Sequence, residues 1–163
     1  MFRKALMLVV VFCACGSDPP ADIAGTYTMS LTVQQNQCGI LTNPSGSSST
    51  GVSVNVTQSG SEVSAQVQGA SGVALSLATG TSTFTGTVSG SSVNLSIAGT
   101  SAGSSGTCAY TVNAHLVGTL SGDALQGSVT YTYLTNKTAD CGTRDTCQDV
   151  QLFSGTRPPT ASP

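Results

Sequence analysis

Apolar and polar residues alternate along most of this chain, with a period of two rather than 3.6. Over 23–33, Ile23, Tyr27, Met29, Leu31 and Val33 share one parity. The pattern repeats at Val52, Val54 and Val56 (51–58), at Val63, Ala65 and Val67 (62–68), and at Val93, Leu95 and Ile97. It returns at Tyr110, Val112, Ala114, Leu116 and Leu120, at Leu125, Val129, Tyr131 and Tyr133, and at Val150 and Leu152 (147–156). Each run predicts a half-buried β-strand, and no convincing helix is expected. One run breaks its parity: Val73, Leu75 and Leu77 are followed by Phe84, Gly86 and Val88. A one-residue slip flips faces, so this run reads as one bent strand with a bulge near Gly80.

Three short repeats punctuate the strands: Thr57-Gln58-Ser59-Gly60-Ser61-Glu62-Val63, Thr87-Val88-Ser89-Gly90-Ser91-Ser92-Val93 and Thr119-Leu120-Ser121-Gly122-Asp123-Ala124-Leu125. Each reads as a tight Ser-Gly hairpin turn. Alternating the strand directions places all three turns at one end. The long connections 34–50, 69–72, 99–107 and 135–146 then fall at the other. The first and last strands run antiparallel and can pair. The predicted fold is all-β, an eight-stranded antiparallel up-and-down barrel, with a β-sandwich as the alternative. Its interior carries no charge and is expected to be filled by side chains. A cavity there would take a largely apolar ligand, with Tyr27, Tyr110, Tyr131 and Tyr133 as hydroxyl partners.

The N-terminus does not share the alternation. Arg3 and Lys4 precede an unbroken apolar run from Ala5 to Phe12, followed by Cys13-Ala14-Cys15-Gly16-Ser17. The run is too short for a membrane-spanning helix, which needs roughly 20 apolar residues. Its three parts are those of an export signal. Phe12-Cys13-Ala14-Cys15 resembles the lipobox of bacterial lipoproteins, with Phe12 where leucine is usual. The resemblance implies cleavage after residue 14, acylation of Cys15 and a lipid anchor in the membrane. Gly16 is not the aspartate that retains some lipoproteins at the inner membrane, so the implied address is the outer membrane of a bacterial envelope. The expected organisation is a signal peptide (1–14), a lipidated tether (15–22), a barrel domain (23–157) and a disordered tail (158–163).

Charge is sparse. The mature part holds Lys137, Arg144 and Arg157 against seven carboxylates, a net charge of −4. That argues against nucleic acid or anionic lipid as partner, since both need clustered cations. The expected partners are the membrane through the anchor, and a small apolar ligand or another envelope protein. Beyond Cys13 and Cys15 four cysteines remain, Cys38, Cys108, Cys141 and Cys147, all at the long-loop end. An even number in an exported domain predicts two disulfides. Barrel adjacency favours Cys38–Cys147 with Cys108–Cys141, against a local Cys141–Cys147 with Cys38–Cys108. The barrel also resembles the lipocalin and avidin (calycin) group. Gly25-Thr26-Tyr27 stands where those barrels begin with Gly-x-Trp, and Arg157 ends the last strand, where lipocalins pack an arginine over that ring.

Chemistry beyond this is thin, and the expectation is a non-enzymatic domain with no cofactor or metal. Gly99-Thr100-Ser101-Ala102-Gly103 matches a nucleophile elbow, but no strand–turn–helix context is predicted for it. His115, the only histidine, falls on the outward parity. Asp140, Asp145 and Asp149 cluster around cysteines without a calcium-loop pattern and read as a solvated loop. Three glycosylation sequons, at Asn55, Asn94 and Asn136, carry no meaning in a bacterial envelope protein.

Overall fold

The computed structural model describes residues 19–159. The expected export signal, the expected acylation site Cys15 and the extreme tail fall outside them. Within them the chain forms β1 (Gly25–Asn36), β2 (Ser48–Ser59), β3 (Glu62–Val67), α1 (Gly69–Thr79), β4 (Thr83–Ser89) and β5 (Ser92–Ile97). There follow β6 (Gly103–Ser105), β7 (Cys108–Ser121), β8 (Ala124–Thr135), a 3-10 segment (Ala139–Asp145) and β9 (Asp149–Thr156).

Every strand pairs antiparallel with its neighbour, in the order β5-β4-β3-β2-β1-β9-β8-β7-β6. The sheet closes because Ser92–Ile97 of β5 also pairs with the 114–119 stretch of β7. The result is the expected eight-stranded barrel, with β6 as an additional short strand on the upper part of β7. Closure leaves no long edge open to another chain.

The three repeats are two-residue hairpins at one end, closing between Ser59 and Glu62, Ser89 and Ser92, and Ser121 and Ala124. Their first turn residues, Gly60, Gly90 and Gly122, have φ of 60°, 52° and 59°. Positive φ at that position alone matches a II′ turn, whose twist suits the flanking strands.

The expectation of one bent strand over 73–88 is overturned. Residues 69–79 form the helix α1, and β4 starts only at Thr83. The parity slip marked a boundary between elements. Ser71, Ala74, Leu75 and Ala78 repeat at helical spacing and face the barrel interior, while Val73 and Leu77 are 60% and 75% exposed. Gly80 stops the helix in the left-handed region, at φ 93°, and its N–H bonds Ser76 O. Thr79 O accepts from Thr100 N at 2.7 Å, and Ser101 Oγ donates to Leu77 O at 3.3 Å. These bonds pin the helix end to the β5–β6 loop.

A second correction concerns β9. Its inward parity is Asp149, Gln151 and Phe153, not Val150 and Leu152. Register decides this: Gln151 pairs with inward Val129 and Phe153 with Leu31. The interior expected to be uncharged therefore holds Asp149, which is fully buried at the rim. The core below is built from Val, Leu, Ile, Phe, Met and Ala side chains with Tyr27 and Tyr131. Burying each large one contributes roughly 1.5–3 kcal/mol.

The turn end is sealed. Residues 21–24 cross it, bonding the first two hairpins directly and the third through Arg157. Ala21 N donates to Gly90 O, and Gln58 Nε2 donates to Ala21 O and Gly60 O. Arg157 bonds the carbonyls of Asp22 and Ala24 and the Asp123 carboxylate. It also lies 5.9 Å from the Tyr27 ring centroid. Arg157→Ala should lower stability by about 3 kcal/mol, because it strips three acceptors of a charged donor and uncovers Tyr27. Denaturant titration against Arg157→Lys checks this, and equal midpoints for the two variants would refute the shared role of the guanidinium.

Candidate functional site

The opposite end is not filled. A cavity of about 250 Å³ runs down from it into the barrel. The expectation of a side-chain-filled interior is thereby corrected. Inward positions on four strands, β3, β4, β7 and β8, carry Ala65, Gly86, Ala114, Gly118 and Gly127, which put little volume into the space the barrel encloses. Phe153 lies against the last two, since a Cβ at Gly127 would come within 2.8 Å of its ring. The space beside it stays open. The barrel has no tryptophan and two phenylalanines, Phe84 and Phe153, so few large rings are available to fill it.

The cavity is graded along its depth. Ile23, Val56, Val93, Leu125 and Phe153 form the floor. Leu41 and Ile40 of the β1–β2 loop and the inner face of α1 overhang the mouth, where Thr42, Asn43, Ser49 and Ser71 supply neutral polar groups. One hydrogen-bonding pair lies on the wall between: Tyr131 OH donates to Gln151 Oε1 at 3.3 Å. No charged side chain lines the cavity among the described residues.

The mouth is held by covalent and charged ties. Cys38–Cys147 joins the β1–β2 loop to the β8–β9 connection, and Cys108–Cys141 joins the start of β7 to the 3-10 segment. This is the pairing favoured from barrel adjacency. Asp149, reaching up from β9, accepts from Cys38 N at 2.6 Å, Ile40 N at 2.8 Å and Leu41 N at 3.1 Å. It thus sets the backbone of the overhanging lip.

Of the four tyrosines proposed as ligand partners, only Tyr131 lines the cavity. Tyr27 is sealed at the turn end, its hydroxyl donating to Ile23 O. Tyr110 and Tyr133 meet edge to face at 5.0 Å, with the Arg144 guanidinium 5.2 and 5.8 Å from their centroids. They form a stopper on the β7–β8 side of the rim. The sequence missed Gln151, which the inward parity of β9 would have found.

The three loop aspartates do not converge. Asp140 accepts from Thr107 N and Oγ1, and Asp145 bonds Thr135 Oγ1 and pairs with Lys137 at 3.4 Å. Those bonds hold both carboxyls below the usual carboxylate range, the Thr107 N–H acting most on Asp140 and the Thr135 hydroxyl most on Asp145. Among the described residues no group of His, Cys, Asp and Glu could hold a metal ion. His115 is exposed and bonds Asn94 Oδ1 at 2.8 Å, and Ser101 serves the end of α1.

Burial pushes the Tyr131 hydroxyl up to about 12 from its ordinary 10.0. The unfolded phenol then ionises first, so this contribution to stability is complete below about pH 10 and is lost as pH rises from about 10 through 12. The loss attributable to Tyr131 is about 2–3 kcal/mol. Tyr131→Phe should flatten the alkaline arm of the stability–pH curve by that amount. An unchanged alkaline midpoint would show that the phenol is not desolvated.

No protein-family model, curated protein or solved structure matches the chain.

Proposed function

We propose that this protein is a lipid-anchored envelope lipoprotein whose barrel binds a small, largely apolar molecule without transforming it. The apolar cavity, open at one end and carrying the Tyr131–Gln151 hydrogen-bonding pair on its wall, is the observation that supports the reading. A binding role rather than a catalytic one is favoured because His115 and Ser101 lie apart, outside the cavity, and are engaged elsewhere. The anchor on Cys15 would join the barrel at its sealed end, through residues 21–24. The mouth would then face away from the membrane that holds the protein.

The test is purification of the acylated protein from bacterial membranes, followed by mass spectrometry under non-denaturing conditions. Wild type should carry a small organic molecule, and Ala65→Phe, which fills the cavity from β3, should not. Identical empty spectra for both, even after incubation with envelope lipid extract, would defeat the binding role. Continued fatty-acid labelling of Cys15→Ser would defeat the anchor separately.

A further inference from the structure

We propose that the ligand of this cavity is an uncharged amphiphile with a tail of about ten carbons and a neutral hydrogen-bonding head, and not a fatty-acid anion; this deepens the binding role above and rests on it. The size follows from volume. A cavity of roughly 150 Å³ accommodates benzene, so one of about 250 Å³ accommodates about ten carbon atoms. The grading sets the direction. A tail would go down to Ile23, Val56 and Phe153, and a head would stop at the Tyr131–Gln151 pair, near the neutral rim of Thr42, Asn43 and Ser71.

That pair leaves bonding capacity open. The Gln151 amide is engaged at one end by Tyr131, and among the described residues no protein group bonds the other end. A hydroxyl, ester or amide would complete it. A carboxylate would be recognised poorly for two reasons. None of the basic residues in the described chain lines the cavity: Arg157 is locked at the sealed end, Lys137 pairs with Asp145, and Arg144 sits over the Tyr110 and Tyr133 rings. Desolvating an anion without a cation costs several kcal/mol. Asp149, one inward step above Gln151 on β9, is moreover a buried carboxyl committed to three backbone N–H groups. Its oxygens offer a second carboxylate no donor.

The probes are decan-1-ol and decanoate, titrated at about pH 8, where a carboxyl is ionised, and followed by methyl NMR shifts of cavity residues such as Val56 and Val129. Decan-1-ol should bind at least about tenfold more tightly than decanoate, and Gln151→Leu should weaken decan-1-ol by about tenfold. Tyr131→Phe serves as the second variant should Gln151→Leu fold poorly, and the wild-type comparison stands without either. Equal affinities for alcohol and carboxylate would overturn the inference while leaving the binding role intact. No cavity shift with either probe would overturn both.

Discussion

Asp149→Ala should destabilise the protein by about 4 kcal/mol, lowering Tm by roughly 10 °C, and should loosen the barrel mouth. The side chain is fully buried and accepts three backbone hydrogen bonds from 38–41. Alanine leaves those N–H groups without an acceptor, and each unsatisfied buried donor costs about 1–3 kcal/mol. The same segment carries Ile40 and Leu41 over the cavity. Faster amide hydrogen exchange should therefore appear at 38–43, with little change among the hairpin turns at the sealed end. Asp149→Asn keeps one acceptor oxygen and should lose about half as much. A loss below about 1 kcal/mol for alanine would mean that water satisfies the lip and that Asp149 does not set it.

Replacing Cys38 and Cys147 together with alanine should cost about 4–5 kcal/mol. The bridge spans 109 residues of sequence, so its removal releases a large closed loop in the unfolded chain. Cys108–Cys141 spans 33 residues, and its removal should cost about 1 kcal/mol less. Chemical denaturation of the two double variants measures the difference. Only the first acts on the lip, so it should also weaken ligand retention. A variant lacking Cys38–Cys147 that binds as tightly as wild type would separate stability from mouth geometry.

Much of this arrangement was legible in the residues themselves. Period-two alternation in 51–58, 62–68, 93–97 and 125–133 specified strands because each has one face on the core and one in water. Gly60, Gly90 and Gly122 specified where the chain reverses, since only glycine takes the first position of a II′ turn without strain. Three such turns at one end force the long loops and four cysteines to the other. Strand adjacency in the closed sheet then favours Cys38–Cys147 and Cys108–Cys141 over the local pairing. All of this follows from short-range chemistry and chain direction.

Tertiary structure alone decided the rest. The stretch 69–79 satisfies both periods, with Val73, Leu75 and Leu77 alternating and Ser71, Ala74, Leu75 and Ala78 spaced for a helix. The helical answer wins because its small face can lie over the barrel mouth while its N-cap Gln68 donates to Ser53 O and its last residue, Thr79, accepts from Thr100 N. On β9 the more apolar parity, Val150 and Leu152, faces away from the cavity, because register with β8 and β1 outweighs local hydrophobicity. The inward place goes instead to Asp149, whose burial is tolerable only because three N–H groups from a loop more than a hundred residues away meet it. The cavity is the least local feature. It is the difference between the space eight strands enclose and the volume their inward side chains occupy, and no single segment of sequence contains that difference.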